Sequence, residues 1–180
     1  GRAALPSLAA TALAFAATMA SIAYLGPLVT ATTGVTGAAI GAVQCLIGLG
    51  SMTGLFVSAR FLAHRRGAVA LLFATIAITQ AIYIGLVAAP IEGWAGFVLM
   101  GAVTFVGAGA LFGVVPLAQA RLVAIGGSNA GVLMALNGSM IFLGQSAGTA
   151  LGGLTIGLGG LMWTGVTGAA IALAGVTLGL

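Results

Sequence analysis

The chain has 180 residues, 61% of them hydrophobic and 31 of them Gly, with five basic side chains and one acid. An ordinary soluble domain carries about 25% charged residues, so a chain with 3% cannot cover a water-facing surface and reads as a membrane protein. The same composition excludes intrinsic disorder, a disulfide framework, because Cys45 stands alone, and a collagen repeat.

A membrane-spanning helix needs about 20 apolar residues. Charges, Pro and clustered Gly and Thr divide the chain into six such stretches, which predicts an all-α membrane protein forming a single six-helix bundle. A β-barrel would show strands of about 10 residues alternating apolar and polar, whereas 71–89 is apolar on every face. The first segment covers 5–29. It is too long for the apolar core of a cleavable signal peptide, and Thr18, Ser21 and Tyr24 share a helical face on it. The opening Gly1 in place of Met suggests a processed product or a fragment.

After an uncharged turn of Thr and Gly, the second segment covers 37–62 and carries Gln44, Gly37-x-x-x-Gly41 and Gly50-x-x-x-Gly54. His64-Arg65-Arg66-Gly67 closes it. The third, 68–89, holds Gln80 and Tyr83 and ends at Pro90-Ile91-Glu92-Gly93-Trp94. The fourth, 95–123, contains Gly109-x-x-x-Gly113, with a kink or local unwinding expected near Pro116. The fifth, 130–156, carries Gly144-x-x-x-Gly148-x-x-x-Gly152, and the sixth covers 162–180. Small residues at these spacings let helix backbones approach closely, which is how helices associate in lipid. The run Gly107-Ala108-Gly109 to Gly113 superficially resembles a dinucleotide fingerprint, but no strand precedes it and no acid follows it.

If the helices alternate in direction, Arg2, Arg60, Arg65, Arg66 and Arg121 fall on one side and Glu92 with Trp94 on the other. The positive-inside rule makes the Arg side cytoplasmic. Both termini are then cytoplasmic and the protein is an integral, multi-pass component of a plasma membrane, most naturally the inner membrane of a bacterium. The basic balance is a topology signal, and no nucleic-acid partner is implied.

Chemistry in the apolar segments has little to work with. There is no Asp, and neither a hydrolase triad nor a metal site can be assembled, so no enzyme activity, metal or cofactor is expected. Polar residues at membrane depth are the functional candidates. Asn137 and Gln145 lie eight apart, close to two turns, and either bond neighbouring helices or line a cavity. Phe105 and Phe112, seven apart, are either packing or the wall of a site for an apolar or amphiphilic solute.

Gly50-Ser51-Met52-Thr53-Gly54 followed by Ala59-Arg60-Phe61-Leu62-Ala63-His64-Arg65-Arg66-Gly67 resembles the cytoplasmic-loop motif of the major facilitator superfamily. Arg60, Ala63, Arg65 and Gly67 match its pattern, whereas Ala59 replaces Gly and His64 replaces Asp. The string from Asn129 through Asn137-Gly138-Ser139 to Gly152-Gly153 looks like the eleventh helix of drug and sugar efflux members.

The resemblance implies a major facilitator-type half bundle, the last six helices of a twelve-helix secondary transporter, exporting small organic or amphiphilic solutes by alternating access. Its partners would be the small-molecule substrate, the lipid bilayer, and an N-terminal six-helix half or a second copy. Mapped by order, it favours Tyr24, Gln44, Phe105, Phe112, Asn137 and Gln145 as cavity residues over Gln80. Gly54, Arg60, His64, Arg65, Arg66 and Gly67 would form the gate loop. His64 in place of the acid removes the carboxylate of the usual latch, and no segment supplies a carboxylate to carry a coupling proton. The alternatives are a complete small membrane protein that dimerises as a channel or half-size transporter, and a non-transporting partner subunit.

Overall fold

The computed structural model describes residues 2–178. Among these there are seven α-helices and no strand: α1 (Leu5–Ile22), α2 (Leu25–Thr33), α3 (Ala39–Val57), α4 (Ala68–Ala88), α5 (Gly93–Gly126), α6 (Ala130–Gly159) and α7 (Met162–Val176). Short 3₁₀ turns precede α1 and link α5 to α6, and a π-helical segment, Ser58–Leu62, extends α3. Four continuous helical stretches are long and apolar enough to cross a membrane: Arg2–Ile22, Ala39–Leu62, Ala68–Ala88 and Gly93–Gly159, the last containing both α5 and α6. At 15 residues α7 is shorter. The expected end of the sixth segment at residue 180, like Gly1, lies outside the described residues.

Two expectations along the chain change. The 5–29 segment is not one helix but two, because Pro27 has no N–H to give the carbonyl of Ala23 and Tyr24 leaves helical geometry with φ −112° and ψ 25°. Pro116, by contrast, sits inside an unbroken α5. Its neighbours Val115 and Ala118 are buried in the core, so packing on either side holds the helix through the missing bond. At the entry to α4, Gly67 takes φ +78°, a left-handed conformation that costs other residues about 1 kcal/mol or more. That accounts for glycine at the end of the Arg-rich loop.

The helices associate by backbone-to-backbone contact. A Cβ built on Gly144, Gly148 or Gly152 of α6 would collide with the carbonyl oxygen of Ala12, Ala16 or Ala20 of α1. Both triplets advance by four residues in the same direction, so α1 and α6 run parallel. Gly50 and Gly54 of α3 lie in the same manner on the backbone of Phe105 and Gly109 of α5, again parallel. On α7, Gly165 faces Gln80 and Ile84 of α4 while Gly175 faces the Phe73 ring, so α4 and α7 run antiparallel.

Side-chain burial follows from this geometry. Phe15, Phe73, Ile76, Leu111 and Val114, from α1, α4 and α5, fill the central core. On α3 only Val43, Gly50 and Gly54 are buried, and on α6 only Asn137, Gly144, Gly148 and Gly152. The outward faces carry large apolar groups such as Met52 (70% exposed), Phe142 (70%) and Leu158 (88%). A protein in water rarely exposes so continuous an apolar surface, whereas a helical bundle embedded in a membrane presents one to lipid.

Gly148→Ala places a methyl against the Ala16 backbone and is expected to destabilise the folded chain by about 3 kcal/mol, the upper part of the overpacking range. Gly157→Ala on the same helix meets open space and is expected to be neutral or stabilising by up to about 1 kcal/mol. Thermal unfolding in detergent compares them, and equal losses would show that the close approach does not hold α6.

Candidate functional site

The break between α1 and α2 turns Tyr24 towards α6. Its ring lies over Gly152 and Gly153, where a Cβ on either would meet it, and its hydroxyl donates to the Thr149 carbonyl at 2.7 Å. Beside this contact runs an open groove of about 980 Å³, lined by Tyr24, Gln145, Ser146, Thr149, Gly153 and Leu158. It places two of the candidate cavity residues, Tyr24 and Gln145, on one surface. Gln145 offers an amide that donates and accepts, and the glycines leave space above it. No charged side chain lines the groove, so it suits a neutral or amphiphilic solute held by hydrogen bonds and apolar contact. Among the described residues no cluster could hold a metal ion.

The other candidates lie apart from the groove. Asn137 is fully buried between α6 and α1, where Thr11 Oγ1 donates to its Oδ1 at 2.7 Å and its Nδ2 finds no partner among the described residues. Of the two roles open to it, interhelical bonding is the geometry present. Phe112 packs edge-on against Phe15 of α1, centroids 5.7 Å apart. Phe105 borders a crevice of about 180 Å³ with Gly50, Gly54, Leu72 and Thr75, on the side of α5 that faces α3 and α4. Gln44 is exposed on α3.

Of the loop residues, Gly54 is buried against Gly109, while Arg60, His64, Arg65, Arg66 and Gly67 are exposed at the α3–α4 junction. Arg65 and Arg121 line one cavity with Ser7 of α1. The α3–α4 junction, the start of α1 and the end of α5 therefore share one end of the bundle.

Thr18, Ser21 and Tyr24, which their spacing places on one helical face, turn to different partners. Thr18 bonds back to Ala14 of its own helix at 2.9 Å, and Ser21 turns towards α4. Steps of three residues drift by about 60° each on an α-helix, and the break at Tyr24 adds to the divergence.

A buried network that sequence reasoning passed over is centred on Gln80. Ser21 Oγ donates to Gln80 Oε1 at 2.5 Å, Gln80 Nε2 donates to the Ala17 carbonyl at 3.2 Å, and Gly168 of α7 makes room for the amide. One turn along, the Tyr83 and Thr104 hydroxyls meet at 3.0 Å and join α4 to α5. The available signal was Gln80 and Tyr83 sharing a face of an otherwise apolar helix, opposite a small residue on another helix.

In comparison with known proteins, no family model, curated protein or solved structure matches this chain.

If the Thr11–Asn137 bond joins α1 to α6, a double-mutant cycle with Thr11→Val and Asn137→Ala is expected to return a coupling of about 1 kcal/mol in unfolding free energy. Additive effects would place Asn137 outside the interhelical tie.

Proposed function

We propose that the chain is a six-span, major facilitator-type half bundle of a secondary transporter that exports small organic or amphiphilic solutes by alternating access. The six spans are α1 with α2, α3 with its π-helical extension, α4, α5, α6 and α7.

The observation that carries this reading is the packing pattern. Helix α6 lies on α1 and α3 lies on α5, both parallel and both through glycines, while α4 lies antiparallel on α7. Exchanging α1 with α5, α3 with α6 and α4 with α7 maps this set onto itself, and it also maps the α1–α7 packing onto α5–α4. The helix directions reverse under the exchange, since α1 and α5 run oppositely. Two three-helix units of opposite direction are the inverted repeats from which major facilitator halves are built.

The charge distribution supports the same reading. Alternating helix directions put Arg2, Arg60, Arg65, Arg66 and Arg121 at one end and Glu92 with Trp94 at the other. The Arg end is then the cytoplasmic one. The groove at Tyr24 and Gln145 would form this half's share of the substrate path, completed by an N-terminal half or a second copy. A coupling proton would need a carboxylate outside this chain, because Glu92, the only acidic side chain, sits in the α4–α5 connection.

In proteoliposomes of the complete gene product, Gln145→Ala is expected to slow export of a fluorescent amphiphilic amine about tenfold or more with the thermal midpoint unchanged. Leu136→Ala, exposed on α6 away from the groove, should leave the rate unchanged. Equal rates in Gln145→Ala and the parent would remove the groove from the solute path. The 180-residue chain reconstituted alone is expected to show no proton-coupled flux, which a pH-sensitive dye inside the vesicles reports.

A further inference from the structure

The Arg end of the bundle contains a second cavity, of about 320 Å³, between the start of α1, the α3–α4 loop, the start of α4 and the end of α5. Its walls include Leu62, Val69 and Leu117, and its polar lining residues are Arg65, Arg121 and Ser7. Most of the hydroxyls in these helices satisfy themselves by donating to a carbonyl three or four residues back, as Thr18, Thr32, Ser51, Thr53 and Thr104 do. Ser7 does not. It is fully buried and its Oγ has no partner among the described residues. A buried hydroxyl without a partner costs about 1–3 kcal/mol when it stays so, and this one borders a cavity that carries two cations.

The two cations also lack a side-chain acid at their end of the molecule. Glu92 follows α4, whereas Arg65 precedes it, and the 21 residues of α4 extend about 32 Å. A pair of guanidinium groups and a hydroxyl, backed by an apolar wall, is complementary to a phosphate. Guanidinium binds phosphate oxygens in a two-pronged geometry, the hydroxyl donates to a third oxygen, and the apolar side accommodates the carbon part of a phosphate ester.

We propose that this cavity is an anion site for a phosphate group, supplied either by an anionic lipid headgroup or by a soluble phosphate. On the membrane orientation given above it lies at the level of the cytoplasmic headgroups, and it stands apart from the Tyr24–Gln145 groove. Occupancy ties the start of α1, the α3–α4 loop and the end of α5 to one another through the bound anion.

The test uses the complete chain purified in an uncharged detergent, titrated separately with short-chain phosphatidylglycerol and with inorganic phosphate against sodium chloride of equal ionic strength. Thermal midpoint and native mass spectrometry are the readouts. Saturable binding of the lipid alone identifies a headgroup site, and saturable binding of inorganic phosphate as well identifies a site open to soluble phosphate. In either case Arg65→Gln and Arg121→Gln are each expected to weaken binding about tenfold, the loss of one charge-assisted hydrogen-bonding partner. Ser7→Ala is expected to weaken it several-fold while leaving the unliganded midpoint equal or higher, because it removes an unpartnered hydroxyl. Arg66→Gln, on the same loop with the same charge but outside the cavity, should bind as the parent does. The proposal is overturned if neither probe binds saturably, or if Arg66→Gln weakens binding as much as Arg65→Gln, which would mean diffuse attraction to a basic end. Neither result bears on transport, so the site and the proposed function stand or fall separately.

Discussion

Everything in this bundle depends on how closely two backbones can approach. Where apolar faces meet lipid on one side and protein on the other, little is gained from hydrophobic burial between helices, and contact surface becomes the main source of cohesion. Glycine stripes maximise it. Gly144, Gly148 and Gly152 bring the α6 backbone onto the carbonyls of Ala12, Ala16 and Ala20, and Gly50 with Gly54 brings α3 onto α5. In water each glycine inside a helix would cost about 1 kcal/mol relative to Ala. Here that cost is offset by a contact that no larger residue permits. The same glycines set parallel registers for α6 on α1 and for α3 on α5, and so decide which loops gather at which end.

Close approach also governs where polar groups can lie. Most hydroxyls bond back to their own helix and ask nothing of their neighbours, which suits a core without water. Those that cross between helices do so at a few points: Thr11 to Asn137, Ser21 to Gln80, Tyr24 to Thr149, and Tyr83 with Thr104. The first three anchor α1 to its neighbours along its length and past its break. Tyr24 is the outermost of the four, and Gly152 and Gly153 are what admit it. The groove is therefore a by-product of the packing stripe. The glycines that seat α6 on α1 also leave an open, weakly polar surface just beyond the contact.

Charge is distributed with equal economy. With one acidic side chain in the chain, placed at the far end of α4, the five Arg residues have no carboxylate of this chain's side chains to pair with at their own end. The missing acids connect the absence of a carboxylate from the apolar segments with a cationic cavity beside a hydroxyl that has no partner among the described residues.

Much of the architecture was legible from periodicity and composition, because helix formation in an apolar medium is a local matter. Each apolar run satisfies its own backbone, and Pro, Gly and charge mark its ends. That reasoning located the helical segments to within a few residues, apart from the break before Pro27, and identified the stripes at Gly50 and Gly54 and at Gly144, Gly148 and Gly152 as packing surfaces, whereas Gly37 and Gly41 meet open space. It failed where the outcome depended on partners. Gln80 and Asn137 are alike in the sequence as amide side chains within apolar runs, yet Gln80 is satisfied on two sides by α1, while Asn137 keeps one amide hydrogen-bonding group unfilled. Pro27 breaks its helix and Pro116 does not, a difference made by the packing around Val115 and Ala118 and not by proline itself. The sequence by itself determined that the chain is helical, apolar and divided by charge between two ends, since these follow from each residue's own preference for its surroundings. Only the tertiary structure decided that Tyr24 and Gln145 share a groove, and that Ser7, Arg65 and Arg121 share a cavity. Proximity between residues more than fifty positions apart is set by helix register, and register is set by side chains that must fit together in three dimensions.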